Sequence, residues 1–157
     1  IDQARANWER EGWVDAAQGM TVVTSVMRAH QILLARVEGT LRPWNLSFPR
    51  YVLLRLLAFS RSGAMPITKA SERLQVHVTS VTSAMKRLID AGLVERRPHP
   101  TDGRTTLVEI TEAGREVVAQ ATDALNSGVF ADPGIDESDQ VALIDAIASL
   151  RRTAGDF

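Results

Sequence analysis

Residues 77–104, HVTSVTSAMKRLIDAGLVERRPHPTDGR, constrain this chain more than any other stretch. The first half places Val81, Ala84, Met85, Leu88 and Ile89 at helical spacing on one face. The other face holds Thr79, Ser80, Thr82, Ser83, Lys86 and Arg87. Serine and threonine compete with the backbone for hydrogen bonds and are mediocre helix formers. Four of them within residues 79–83 therefore call for a reason outside the helix. Gly92 supplies the helix stop. Residues 93–97 then alternate like a strand, 98–104 read as a loop, and 105–110 alternate again. A hydroxyl-bearing helix followed at once by an arginine-tipped hairpin suits a device that enters a DNA groove.

The neighbouring sequence supports that placement. Thr68 is the expected cap of a short helix over 69–74, Gln75 and Val76 make a turn, and His77 stands where the next helix begins. Short helix, tight turn and polar-faced helix make a helix-turn-helix. Ala70, Leu74, Val76, Val81 and Leu88 are the residues expected to pack it. Upstream, residues 1–12 read as a partial helix and 14–41 as one long helix, weakened at Gly19 by about 1 kcal/mol relative to alanine. Arg42, Pro43, Trp44 and Asn45 break it. Ser47 is the expected cap of a second helix, with Pro49 in its first turn and Val52, Leu53, Leu56, Leu57 and Phe59 on its apolar side. Residues 60–66 read as a loop. Downstream, Thr111 caps a helix with Glu112 in its first turn, 128–134 is a break, and Asp136 caps a last helix carrying Val141, Leu143, Ile144, Ile147 and Leu150.

The predicted fold class is mainly α with a minor β component, in a single domain over 1–157. Residues 48–110 form a winged helix-turn-helix lobe with a two-stranded hairpin as its wing. The helices of 1–42 and 111–157 are more apolar than that lobe's core requires. A second copy of the chain is the economical cover for them, so they are expected to be a dimerisation region.

Charge is unevenly distributed although the net is −1. Residues 28–104 carry thirteen Lys/Arg against five Asp/Glu, while 105–157 carry ten acids against three arginines. A basic middle suits a phosphate-facing module, although solvated faces alone produce the same pattern. The chain has no cysteine, which removes disulfides, thiol sensing and cysteine metal sites. His30, His77 and His99 fall on three separate elements, so no metal site is expected, and no cofactor motif is present. No apolar run approaches the roughly 18 residues of a membrane span, and the expected location is the cytoplasm. The sequence starts at Ile1, so the native N-terminus is expected to be missing. No Gly-rich phosphate loop and no G-x-S-x-G is found, which argues against an enzyme.

The run LQVHVTSVTSAMKRLIDAGLVERRPHPTDGRTTLVEITEAG resembles the signature region of the MarR family of bacterial transcription regulators. GLVERR, the Asp102-Gly103-Arg104 tip and LVEITEAG carry the resemblance most specifically. It implies a winged helix-turn-helix homodimer that binds double-stranded DNA and is released, in many members, by a small aromatic or anionic molecule. That molecule would bind between the dimerisation region and the DNA-binding lobe. Members often carry arginine where this chain has Ser83 and Gly103, which implies a different base preference and a less basic wing tip.

The residues expected at DNA are His77, Thr79, Ser80, Thr82, Ser83, Lys86 and Arg87 on the helix, and Arg97, His99, Asp102 and Arg104 on the hairpin. The hydroxyls would meet base edges or phosphates in the major groove. Arg104 would enter the minor groove, and the family resemblance assigns Asp102 to hold it by a charge-assisted hydrogen bond. Trp13, His30, Trp44, Phe48, Tyr51 and Arg55 are the candidates for an effector pocket, with ordinary core as their alternative reading. The alternative function is a winged-helix protein-interaction module without specific DNA binding.

Overall fold

The computed structural model describes residues 1–75, 77–99 and 105–156. In chain order these form α1 (Asp2–Arg10), α2 (Val14–Leu41), a 3-10 turn (Arg42–Trp44), α3 (Phe48–Phe59), β1 (Ala64–Pro66), α4 (Ile67–Leu74), α5 (Val78–Asp90), β2 (Val94–Pro98), β3 (Thr106–Ile110), α6 (Glu112–Ser127) and α7 (Glu137–Thr153). The chain divides into two compact units, residues 1–39 and 40–157.

In the first unit, α2 runs straight through Gly19 from Val14. A single glycine costs too little to break a helix of 28 residues. Trp8 and Trp13 meet edge to face at 5.2 Å between ring centres. Along α2, Val22, Val23, Val26, Met27, Ile32 and Leu33 are all exposed.

The second unit holds the core that positions α5. Leu53, Leu54 and Leu57 of α3, Ala70 of α4, Val81, Met85 and Leu88 of α5, Val94, Val108 and Ile110 of the sheet, and Val118, Ala121 and Leu125 of α6 are buried. Each large side chain among them contributes about 1.5–3 kcal/mol by leaving water. The burial of Val81, Met85 and Leu88 at helical spacing turns the hydroxyl-bearing face of α5 outward.

Several local expectations change. The sheet has three strands in the order β1-β3-β2, all antiparallel, so the hairpin gains a neighbour from the stretch read as loop. Helix α4 starts at Ile67 with Pro66 at its cap, which leaves Thr68 inside the first turn. Pro66 ends β1 in extended backbone and has no N–H to leave unsatisfied at the helix start. On α3 the inward set is Tyr51, Leu53, Leu54 and Leu57, and Phe59 is 72% exposed. The Arg55 guanidinium covers the Phe59 ring at 4.2 Å. Leu74 is half-buried, and Val76 lies outside the described residues. Asp136 occupies the cap position of α7 without a side-chain cap bond.

Two junctions tie the recognition helix to its surroundings. Thr111 caps α6 through its hydroxyl oxygen, which accepts from the Gly114 amide at 3.0 Å and donates to the Gly92 carbonyl at 2.9 Å. The Thr111 amide donates to the Leu93 carbonyl at 3.1 Å. The C-terminus of α5, the base of the wing and the start of α6 are thereby joined at one residue. At the other end, Gln75 takes a left-handed conformation at the α4 C-cap, with φ of 53°. Its side-chain amide donates to the Asp156 carbonyl and accepts from Arg151 Nη2 at 3.2 Å, while Arg151 Nε also pairs with the Asp156 carboxylate. Helix α7 itself buries no residue, and its Val141, Leu143, Ile144, Ile147 and Leu150 are exposed.

Candidate nucleic-acid interface

Helix α5 opens on His77, whose Nδ1 accepts from the Thr79 amide at 3.3 Å and lies 3.1 Å from the Thr79 hydroxyl. His77 is thus an imidazole N-cap and satisfies one of the otherwise unpaired amides of the first turn. The four hydroxyls of the helix divide into two kinds. Thr79 is engaged with His77, and Thr82 donates to the Val78 carbonyl at 2.8 Å. Ser80 and Ser83 are exposed and have no side-chain hydrogen bond among the described residues. Lys86 and Arg87 are exposed and take part in no ion pair among the described residues.

Ser80, Ser83 and Arg87 share a groove of about 470 Å³ with Thr79, Ala84, Ser47, Pro49 and Arg50. Its second wall is the start of α3. Ser47 sits at the cap position there but makes no cap bond; its hydroxyl instead accepts from Arg50 Nε at 3.1 Å. Ser47 and Arg50 were absent from the residues expected at DNA. One available signal was that Arg50 lies in the first turn of a helix, where the macrodipole disfavours a cation.

On the wing, β2 and β3 pair Glu95 with Glu109 and Arg97 with Leu107. Two carboxylates directly opposite would repel each other. Arg97 resolves this by reaching both: its Nη2 lies 2.8 Å from Glu95 and its Nε 3.0 Å from Glu109. The Glu95 hydrogen bond, then the charges of Glu109 and Glu95, hold the Arg97 guanidinium above its ordinary pKa. Arg97 is therefore an internal clamp whose charge is already offset. Arg96, one residue away, is exposed and forms no ion pair among the described residues. His99 closes the hairpin through its amide, which donates to the Thr105 carbonyl at 3.1 Å. Asp102 and Arg104 lie outside the described residues.

Of the six effector-pocket candidates, two lie in the first unit and four in the second. Trp13 and His30 belong to the first unit. In the second, Trp44 donates from Nε1 to Gln120 at 3.1 Å and borders a cavity of about 330 Å³ between the 3-10 turn, α3 and α5. Phe48 borders a separate apolar cavity of about 340 Å³ with Pro49, Val52, Leu74 and Val81. Tyr51 stacks on Phe48 but is itself buried, with its hydroxyl 3.1 Å from that of Thr122. The Thr122 proton is spent on the Val118 carbonyl at 2.6 Å, so Tyr51 is the donor of that pair. Arg55 is stacked on Phe59. Among the described residues no three His, Asp or Glu side chains form a group fit for a metal ion. No helix of the described residues is long and apolar enough to cross a membrane.

Comparison with known proteins places this architecture. The sequence profile of the MarR family matches residues 46–106. The structure of Sco5413, a MarR family transcriptional regulator from Streptomyces coelicolor, superposes with a TM-score of 0.80 at 45% identity, over 89% of this chain and 97% of that one. The uncharacterized HTH-type transcriptional regulator Mb0904 of Mycobacterium bovis is 36% identical over 95 residues, covering 59% of this chain and 66% of that relative's length. Sco3205, a MarR family transcriptional regulator from Streptomyces coelicolor solved in complex with DNA, shares the fold at 23% identity, with a TM-score of 0.74 over 87% of this chain and 88% of that one. A winged helix-turn-helix carrying this recognition helix, matched along nearly all of Sco5413, belongs to the MarR family of transcriptional regulators.

Proposed function

We propose that the chain is a homodimeric, sequence-specific DNA-binding repressor, released from a pseudo-palindromic operator by a small aromatic or anionic ligand. The observation that carries this reading is the outward face of α5, where Ser80 and Ser83 keep hydroxyls unspent among the described residues, beside the exposed cations Lys86 and Arg87. Free hydroxyls donate or accept and so suit several base edges, while the cations suit phosphate. A dimer would insert two such helices into major grooves about one turn apart. The exposed apolar faces of α2 and α7 support a second copy as partner. Occupying a promoter excludes the polymerase, which makes repression the expected outcome, and a cytoplasmic location follows from access to the chromosome. For the effector, Trp44 and Phe48 remain the candidates with open space beside them. Tyr51 and Arg55 are committed to Thr122 and Phe59. A ligand would act only by favouring a lobe spacing that does not fit the operator.

The test is a titration of the promoter duplex next to the protein's own gene against a scrambled duplex. Salt-sensitive preference for the former is expected. Ser80→Ala combined with Ser83→Ala is expected to weaken promoter binding by about 1–3 kcal/mol. A change below about twofold would take α5 out of base reading. A second reading, a winged-helix protein-interaction module, draws on the Glu95–Arg97–Glu109 cluster, which leaves that wing face with one carboxylate in excess. Absence of any DNA preference in the same titration would favour it.

A further inference from the structure

We propose that Arg50 of α3, together with Arg87 of α5, forms a phosphate-contact line along one flank of the recognition helix and receives the phosphodiester backbone of duplex DNA. The inference rests on the DNA-binding reading above. It adds a surface from a helix outside the helix-turn-helix.

Both arginines border the groove that also holds Ser80 and Ser83. Both also border the adjoining cavity lined by Trp44, Leu46 and Asp90. Neither is in an ion pair among the described residues, although each has open space in front of it. Two like charges held beside one groove repel each other, and an anion between them turns that repulsion into attraction. Asp90 also lines that adjoining cavity but not the groove with Ser80 and Ser83, so the groove is the side that suits an anion.

Arg50 is also out of place by local rules. It lies in the first turn of α3, which contains no acid and where the macrodipole opposes a cation. Ser47, the residue positioned to cap that helix, makes no cap bond and holds Arg50 Nε instead. A cap bond given up to hold a cation in place is expected where that cation serves a site.

The geometry selects phosphate over base. Arg87 lies about two turns beyond Ser80 on the side of α5 that borders this groove, past the N-terminal half that reaches base edges. When a helix fills a major groove about 12 Å wide, its sides face the two backbones and its outermost line faces the bases. Arg87 and Arg50 lie on one such side, where the planar guanidinium matches a phosphate with two parallel hydrogen bonds.

The experiment compares wild type, Arg50→Ala and Arg50→Lys by fluorescence anisotropy on the promoter duplex and a scrambled duplex, from 50 to 200 mM salt. Thermal midpoints verify folding. Arg50→Ala is expected to flatten the plot of log affinity against log salt by about 0.9. Its loss of affinity at 50 mM then exceeds that at 200 mM by about fourfold. Both duplexes should lose affinity by the same factor, and Arg50→Lys should restore most of the slope. An unchanged slope in a folded Arg50→Ala protein overturns the proposal. So does a loss confined to the promoter duplex, or a failure of lysine to rescue, because each would replace phosphate contact with base reading or packing. Wild type that binds neither duplex would instead sink the DNA-binding reading itself.

Discussion

Gly114 has no side chain because the Leu93 carbonyl occupies the space. A β-carbon there would stand 2.1 Å from that oxygen and 2.8 Å from Cγ1 of Ile110. The obstructing oxygen is backbone and cannot swing aside as a flexible side chain could. It is held there by the Thr111 amide, which donates to it at 3.1 Å, and the Gly114 amide is fixed by the Thr111 hydroxyl. Gly114→Ala is therefore expected to destabilise the protein by about 1–3 kcal/mol, the usual range for overpacking. The urea midpoint should fall with the slope unchanged. An unaltered midpoint would mean that the wing base gives way freely. Thr111 was legible as a cap from its place before Glu112. The need for glycine three residues later was not, because it arises from a carbonyl distant in sequence logic and near only after folding.

At the scale of the wing, the question is how much positive charge the hairpin offers. Arg97 is shared between Glu95 and Glu109, with Glu109 the less exposed of the two acids. Glu109→Gln removes one carboxylate and keeps the shape. The expected result is tighter DNA binding and a salt dependence steeper by up to about one unit of log–log slope, measured in the same anisotropy titration. Stability should change by less than about 1 kcal/mol, as for other solvent-accessible ion pairs. An unchanged affinity and slope would place the Glu95–Arg97–Glu109 face away from DNA. The hairpin itself was legible because its two halves alternate and Gly92 stops the helix before them. Its clamp was not, since cross-strand register depends on the loop between the strands and no local pattern reveals it. Strand β1 escaped notice for a related reason: Ala64, Met65 and Pro66 are too few to alternate, and only pairing with β3 makes them a strand. The recognition helix was the clearest element, because burial of Val81, Met85 and Leu88 fixes which side faces out. Arg50 was hidden inside a summed charge; the structure brings it beside Arg87.

For the whole molecule, the exposed apolar residues are where the proposed dimer can be tested. Val23 is 58% exposed and Ile144 65% exposed, each among several like it on α2 and α7. Such faces mark interaction surfaces when they are contiguous. Val23→Asp and Ile144→Asp are each expected to bring the mass measured by light scattering down to that of one 17.2 kDa chain. Wild type should give twice that value, and its melting temperature should rise with protein concentration. A wild-type mass of one chain would refute the dimer. The hold of Arg151 and Asp156 on Gln75 gives assembly a second meaning. Those contacts fasten the end of α7 to the bend that precedes the reading helix. In the proposed dimer, a chain parted from its mate would leave the apolar face of α7 uncovered, and slack at that bend would follow. Dilution would then silence the protein twice, once by removing the second grip on the operator and once by unsettling the first.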